Sequence, residues 1–256
     1  MSDHLLNDQI RSCLETLASQ GAAYAFFLRQ GADSPFYQAS AERFPSASIL
    51  KLPILLAWVH LERRGEVDSN ALCNLDSEPE VHGAGFSWLL RQRRLPWHDV
   101  LLLMMALSDN LCSNLVIQQV GMARLNQVFR DDLGLSGTEL QRRFMDFEAR
   151  REGRENWITA SDCTRLFDLF AALTPAEKAW VEPMLRACQH SALLMRCIPE
   201  EAHVRFYHKT GTNTGILHDW GYTATRQVYL LTQGVQDEIA AAEIFGEIGR
   251  LALLEG

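Results

Sequence analysis

Strand-like segments occur near both ends of this chain, whereas its long middle has mostly helical character. Two aromatic-rich segments, residues 22–30 and 35–40, are separated by a Gly-Ala-Asp-Ser turn, which predicts a hairpin. Three more strand-like segments, residues 203–209, 217–224 and 226–233, lie near the other end. Strands joined by hairpins pair in antiparallel fashion. The pattern therefore predicts one antiparallel sheet assembled from both ends of the chain.

The two terminal segments have the periodicity of amphipathic helices. Residues 4–19 and 237–254 carry apolar side chains at intervals of three and four. We therefore expect an α/β (α+β) fold in which residues 1–45 and 201–256 form a sheet flanked by the terminal helices. Residues 46–200 would form a helical subdomain inserted between the strands. A chain of 256 residues can bury such a core without disulfides or metal ions.

Composition and charge exclude several classes of function. The chain has 24 Lys and Arg against 32 Asp and Glu, a net charge of −8, which disfavours binding to nucleic acid. Six cysteines show no CxxC spacing, and neither HExxH nor a glycine-rich phosphate loop occurs. We therefore expect no metal and no cofactor.

The same sequence gives no sign of membrane insertion or export. Its beginning lacks the basic and apolar regions of a signal peptide, although a leader removed from the sequence stays an open alternative. The longest apolar stretch, ILKLPILLAWVHL, contains a lysine and a proline and is shorter than a membrane span. We expect a cytoplasmic protein with no membrane partner, and the oligomeric state stays open.

Three short motifs follow one another along the chain. They are S-x-x-K at Ser48 and Lys51, S-D-N at Ser108–Asn110, and K-T-G at Lys209–Gly211. S-x-x-K alone is expected about once by chance in a chain of this length. The other two motifs are much rarer, so the three in this order indicate a shared site. Taken singly, the same residues are common helix caps and turns, a role that leaves their order unexplained.

The surroundings of Ser48 favour nucleophilic chemistry. Pro45 and two small residues lead into an apolar helix that begins near Ser48, and the first turn of a helix presents N–H groups that stabilise an oxyanion. Lys51 lies three residues on, on the same helix face. A serine needs a nearby base, and a lysine serves when it is neutral, a state favoured by burial or by a second cation such as Lys209.

The chain resembles class A serine β-lactamases and their β-lactamase-like relatives over nearly its whole length. RFPSASILKLPIL resembles the nucleophile helix of that family, and ALSDNLCSNLVIQQVG resembles its SDN helix. HGAGFSWLL is similar to the glycine-containing segment before that helix, and HKTGTNTG with HDWGY is similar to the KTG strand and its neighbour. The resemblance implies a domain of five antiparallel strands with flanking helices plus an all-helical domain, in agreement with the pattern above.

The resemblance also implies a role for each motif residue. Ser48 would be acylated, Lys51 would be its base or proton shuttle, and Ser108 would relay a proton to the leaving nitrogen. Backbone N–H groups of Ser48 and Thr212 would form the oxyanion hole. The residues implied in substrate binding belong to the SDN and KTG motifs and the strand after them: Asn110, Lys209, Thr210, Gly211, Thr212 and His218. The implied partner is a small, anionic acyl substrate.

The resemblance fails at the residue that activates the deacylating water. Class A enzymes carry that glutamate in an E-x-x-L-N segment, whereas this chain has QRRFMDFEARREGRENWITASD there, with Arg143 at the aligned position. Asp146 and Glu148 are nearby carboxylates that could serve as the base. Alternatively, they pair with the neighbouring arginines on a solvated loop. We therefore expect an acyl-enzyme that is hydrolysed slowly.

The sequence thus predicts a cytoplasmic serine hydrolase that forms an acyl-enzyme on Ser48 from a lactam or amide. Two alternatives stay open. One is an amidase, esterase or acyl transferase of small-molecule metabolism that uses the same site. The other is a binding protein that has lost catalysis, which the intact Ser48, Lys51, Ser108 and Lys209 argue against.

Overall fold

The helices and strands follow the predicted order, with strands near both ends and helices between them. A computed structural model describes residues 3–254. The strands are β1 (Ala23–Gln30), β2 (Phe36–Ala39), β3 (Arg43–Pro45), β4 (Leu72–Asn74), β5 (Arg94–Pro96), β6 (Trp157–Thr159), β7 (Tyr207–Asn213), β8 (Ile216–Tyr222) and β9 (Arg226–Gln233). The α-helices are α1 (Asp3–Ser19), α2 (Lys51–Arg63), α3 (Trp97–Ala106), α4 (Asn110–Val120), α5 (Met122–Gln127), α6 (Phe147–Arg151), α7 (Ala160–Ala171), α8 (Pro175–Arg186) and α9 (Glu238–Leu254). Short helical segments lie at Ala47–Leu50, Leu75–Ser77, Ser87–Leu89, Val128–Asp132 and Glu200–Ala202.

Strands from the two ends of the chain form one antiparallel sheet, which confirms the predicted fold class. The five strands lie in the order β2-β1-β9-β8-β7. Strand β1 pairs with β9 along its full length, so that Ala23 lies opposite Gln233 and Gln30 opposite Arg226. The predicted turn at residues 31–34 joins β1 to β2.

Alternate side chains of the sheet pack against helices on its two faces. Phe26 belongs to the apolar cluster that Ile10 of α1 and Ile248 of α9 also join. The next residue, Phe27, stacks on Phe167 of α7 with 5.6 Å between ring centroids. Because side chains alternate along a strand, burial on both faces gives β1 a nearly continuous apolar sequence.

The described residues divide into two compact units. The sheet unit comprises the residues up to Ile49, Thr159–Phe167 and the residues from His190 onward, and the helical unit comprises Leu50–Ile158 and Asp168–Gln189. We had expected residues 46–200 to form the helical subdomain. Of these, residues 46–49, 159–167 and 190–200 belong instead to the sheet unit.

Side-chain contacts explain why the start of α7 belongs to the sheet unit. The indole N–H of Trp220 donates to the carbonyl oxygen of Cys163 at 2.8 Å, and the hydroxyl of Tyr229 donates to that of Ala160 at 2.9 Å. Leu194 is likewise fully buried in the core between the sheet and the terminal helices. Sequence periodicity in these segments is helical but does not reveal which core they join.

The strand with the KTG motif begins and ends later than predicted. We expected residues 203–209, but β7 runs from Tyr207 to Asn213. The preceding helical turn ends at Ala202, and the next residue, His203, has a φ of 48° in the left-handed region, which interrupts the extended chain. The motif therefore lies within the strand rather than at its end.

The helical unit also contains a feature that the sequence pattern missed. Strands β4 and β5 form a two-stranded antiparallel sheet with Cys73 opposite Leu95.

Nearly every residue of α2 is buried, which accounts for its lack of a polar face. Within residues 3–254, no helix is both long enough and apolar enough to span a bilayer.

Candidate active site

Ser48 lies on the single helical turn Ala47–Leu50, immediately before α2. The helix predicted to begin near Ser48 is therefore present as a tight first turn that continues into a regular helix. Ala47 has a φ of 43°, a left-handed conformation that is uncommon for a residue with a side chain. Such strain is often found where a chain must present one reactive group in a fixed direction.

Lys51 is completely buried, and its ammonium group points at the SDN motif. Its Nζ donates to the carbonyl oxygen of Ser108 at 2.6 Å, to the hydroxyl of Ser108 at 2.9 Å and to Oδ1 of Asn110 at 3.0 Å. An ammonium group has three protons, so these acceptors match its donors in number. The structure thus brings together the predicted residues Lys51, Ser108 and Asn110 within the helical unit.

An aromatic ring from the loop before α6 also contacts this ammonium group. The Lys51 Nζ lies 4.5 Å from the centroid of the Phe144 ring, a cation–π contact. The main chain of Phe144 is fixed by the side chain of Asn114, which donates to its carbonyl oxygen at 3.1 Å and accepts from its N–H at 2.9 Å. In the sequence, Arg143 aligns with the glutamate of the E-x-x-L-N segment. In the structure, the residue of this loop that contacts Lys51 is its neighbour Phe144.

The SDN turn is held by a buried carboxylate. Asp109 is fully buried and accepts from the N–H of Ser87 at 2.9 Å, its hydroxyl at 2.8 Å and the N–H of Cys112 at 3.0 Å. A Cβ atom at Gly85 would lie 2.1 Å from an oxygen of Asp109, so only glycine fits there. These hydrogen bonds of Asp109 hold the neighbouring Ser108, whose φ is 55°, in a left-handed conformation.

The cysteine next to the SDN motif is a poor competitor for the role of nucleophile. Burial raises the pKa of the Cys112 thiol, and the nearby Asp109 carboxylate raises it further. A thiol reacts as its thiolate, which these surroundings disfavour at neutral pH. The local chemistry therefore leaves the serine of the S-x-x-K motif as the better nucleophile.

The KTG motif lies beside Ser48 in the sheet unit. Lys209 and Thr210 are buried in β7, and the Lys209 ammonium group donates to the carbonyl oxygen of Thr210 at 2.8 Å. A Cβ atom at Gly211 would lie 2.9 Å from the backbone nitrogen of Ser48. Glycine at this position therefore lets the strand approach the Ser48 turn closely. Thr212, the next residue, is exposed.

His218 is not positioned to bind a substrate, which corrects the prediction. The ring is completely buried, with Nε2 at 2.8 Å from the carbonyl oxygen of Pro45 and Nδ1 at 2.9 Å from that of Leu217 and 3.1 Å from the backbone nitrogen of Thr232. Burial lowers the pKa of His218 to about 4, so the ring is neutral at neutral pH. A neutral ring bonded to the main chain offers no charge to a substrate carboxylate.

The two acidic residues proposed as deacylation bases have different surroundings. Asp146 caps α6 by accepting from the N–H of Ala149 at 2.9 Å, whereas Glu148 is exposed in the first turn of that helix. Both are therefore in keeping with a structural or solvent-facing role.

The arginines of the same loop have other partners. Arg142 and Arg150 pair with Glu155 at 2.5 Å and 3.1 Å, and Arg143 pairs with Glu78. Within the described part of the chain, the alternative that Asp146 and Glu148 pair with these arginines is therefore not supported. The reason is that the chain folds back on itself, which brings the more distant Glu155 and Glu78 into reach.

A cleft in the helical unit contains a buried residue that sequence reasoning missed. It has a volume of about 400 Å³, and Glu78, His82, Asn114, Phe144 and Asp146 are among its lining residues. Glu78 stands in a stretch without periodicity or motif, so nothing local to it indicates a site. The sequence signal for this cleft was Asn114, which follows the SDN motif. Its side chain holds the main chain of Phe144 in the loop that lines the cleft.

Comparisons with known proteins agree with the fold described above. A family model described as "Beta-lactamase enzyme family" matches residues 5–255. A β-lactamase from Sphaerobacter thermophilus DSM 20745 is 25% identical with a TM-score of 0.84, covering 95% of this chain and 94% of its own. A β-lactamase from Xanthomonas campestris pv. campestris is 19% identical with a TM-score of 0.84, covering 98% and 99%.

A third similar structure is a PBP-A variant, with one leucine replaced by glutamate, in an acyl-enzyme complex with penicillin G. It is 21% identical with a TM-score of 0.80, and the match covers 97% of this chain and 95% of that chain. A search of curated protein sequences finds no match. The fold and the family model thus agree over nearly the whole length.

Proposed function

Because the chain belongs to the β-lactamase enzyme family and is a serine β-lactamase-type hydrolase, we propose that Ser48 accepts the acyl group of a lactam or amide. The observation that carries this proposal is the buried ammonium group of Lys51, one turn after Ser48. It donates to both oxygens of Ser108 and to Asn110 at 2.6–3.0 Å. A buried lysine bonded to a second hydroxyl provides a route for protons between nucleophile and leaving group.

Acylation would proceed in three proton transfers. Lys51, in its neutral form, takes the hydroxyl proton of Ser48 as the serine oxygen attacks the carbonyl carbon. The N–H groups of Ser48 and Thr212 donate to the resulting oxyanion. As the C–N bond breaks, the leaving nitrogen takes the hydroxyl proton of Ser108, and Lys51 returns a proton to Ser108. The 2.9 Å contact between Lys51 and the Ser108 hydroxyl supports this last transfer.

Substrate binding would use the remaining motif residues. Lys209 and Thr210 bind the carboxylate of an anionic substrate, because a buried cation gains most from a charged partner. Asn110 donates to the substrate amide. Its side chain is fixed by Lys51 and by the carbonyl oxygen of His82, which accepts from Asn110 Nδ2 at 3.1 Å. Gly211 keeps the strand close to Ser48.

Hydrolysis of the acyl-enzyme would be slow. The loop presents the Phe144 ring to Lys51, and an aromatic ring cannot take a proton from water. Asp146 and Glu148 remain the candidates for a base, yet Asp146 is engaged as a helix cap and Glu148 faces solvent. Loss of a well-placed general base lowers a rate by about 10²–10⁴-fold.

A chromogenic cephalosporin should therefore give a burst of about one equivalent of product, followed by a slow phase. Stopped-flow absorbance measures both phases, and the burst reports acylation while the slow phase reports hydrolysis. Asp146→Asn and Glu148→Gln should leave the slow phase unchanged. Sustained turnover at about hundreds per second, without a burst and lost in either variant, would contradict slow deacylation and identify the base.

The Phe144 ring also favours a second candidate, an acyl transferase that passes the acyl group to an acceptor other than water. In that case, an added amine or thiol should shorten the slow phase in proportion to its concentration. An unchanged slow phase would exclude the acceptors tested. The predicted cytoplasmic location, which would suit such small-molecule metabolism, stays a prediction.

A further inference from the structure

The cleft of about 400 Å³ in the helical unit lies against the groups that hold Lys51. The Phe144 ring, which contacts the Lys51 ammonium group, lines it. His82 also lines it, and its carbonyl oxygen accepts from the same Asn110 side chain that accepts from Lys51. Two of its lining residues are therefore tied to the lysine one turn after Ser48.

One oxygen of the cleft residue Glu78 has an unused capacity to accept a hydrogen bond. The Glu78 side chain is only 2% exposed, and its Oε2 is paired with Arg143. Its Oε1 has no hydrogen-bond partner among residues 3–254. A buried carboxylate oxygen without a partner is destabilising, so a ligand that donates to it would gain affinity.

The charge and shape of the cleft indicate which donor it suits. Glu78 and Asp146 line the cleft with the guanidinium of Arg143, while the other lining carboxylate, Glu80, is exposed and paired with His82. This excess of negative charge favours a cationic donor over a neutral one. Met145 and Phe147, 37% and 53% exposed, add apolar surface for the part of the ligand that carries the cation.

We propose that this cleft receives an acyl group bearing a primary ammonium, with Glu78 Oε1 as its acceptor and Met145 and Phe147 against its apolar part. The inference rests on the proposed function, because the acyl group is that of the substrate attacked by Ser48. It adds the chemical class of that acyl group and makes Glu78 a residue that determines specificity.

Ampicillin and benzylpenicillin are suitable probes, because they differ by a single amino group on the phenylacetyl side chain. Binding is measured by isothermal titration calorimetry to the Ser48→Ala variant, which cannot be acylated, in a mildly acidic buffer that keeps the amine protonated. Ampicillin should bind about tenfold or more tightly than benzylpenicillin, the effect of one charge-assisted hydrogen bond. Adding Glu78→Gln to this variant should abolish the preference.

Two further variants show whether a lost preference for ampicillin comes from Glu78 itself or from a misfolded cleft. Glu80→Gln should retain the preference, because Glu80 is exposed and already paired with His82 at 2.6 Å. Arg143→Gln should strengthen it, since Glu78 then loses its neutralising partner. Equal binding of the two penicillins, undetectable binding of both, or a preference that survives Glu78→Gln would overturn the inference.

The proposed function is tested separately, by measuring covalent penicillin adducts on the chain without substitutions. Adducts with both penicillins but no preference for ampicillin in the Ser48→Ala variant would leave the proposed function intact and overturn the role of Glu78. A preference that depends on Glu78, with no adduct on the unmodified chain, would support the cleft and overturn the proposed function.

Discussion

Replacing Lys51 by arginine should lower the rate of acylation by about 10²–10⁴-fold, the contribution of a well-placed proton-transfer group. Arginine keeps the positive charge, but its guanidinium does not lose a proton in a protein and so cannot take the proton of Ser48. Its planar fork also differs in shape from the ammonium group that donates to Ser108 and Asn110. The amplitude and rate of the burst with a chromogenic cephalosporin measure the effect.

The chain supplies its own control for this substitution. It has three lysines, of which only Lys178 lies outside the motifs, where it donates to the carbonyl oxygen of Ala171 at 2.9 Å. Lys178→Arg should acylate at the parent rate. Circular dichroism checks that the Lys51→Arg variant is folded. If this folded variant acylates at the parent rate, Lys51 has a structural role and the proposed proton route is wrong.

Replacing Phe144 by glutamate should raise the rate of the slow phase by about 10²–10⁴-fold, because it introduces a general base where the loop now has a ring. The Phe144 ring lies 4.5 Å from the Lys51 ammonium group, so a carboxylate at this position would be paired with a cation rather than buried alone. The two hydrogen bonds between the Asn114 side chain and residue 144 involve only the main chain of Phe144, so the substitution leaves them in place. Steady-state turnover after the burst is the quantity measured.

Two matched variants separate general-base catalysis from a change of shape. Phe144→Gln has the same size as the glutamate but cannot take a proton, so its slow phase should stay near that of the parent. Phe147→Glu adds a carboxylate to the same cleft at a residue that is 53% exposed, and it should have little effect. Equal acceleration in all three variants would show that a change in the loop, and not a base, accelerates hydrolysis.

Sequence reasoning was most successful where local pattern and long-range structure agree. The strands β1, β2 and β9 and the helices α1 and α9 follow from periodicity, because each packs one face or both faces against a single core. The motif order indicated a shared site, and Lys51 does contact Ser108 and Asn110, although they are distant in sequence.

The remaining features depend on contacts that no local pattern encodes. Phe144 contacts Lys51 because Asn114 holds the main chain of Phe144 in an irregular loop, which no local pattern indicates. Glu78 reaches the cleft through a segment without regular structure. His218 was expected to bind substrate because of the resemblance to class A enzymes. In a sheet with both faces covered, however, alternation does not tell which side chains are accessible.

The central claim is that Ser48 carries the acyl group, and mass spectrometry tests it most directly. The intact chain, mixed with a penicillin, should gain the mass of one whole penicillin, since opening the lactam ring releases no fragment. Peptide mapping should then locate that mass on the peptide containing Ser48, and Ser48→Ala should abolish it. An adduct on another serine, or on a thiol such as Cys112, would contradict the account.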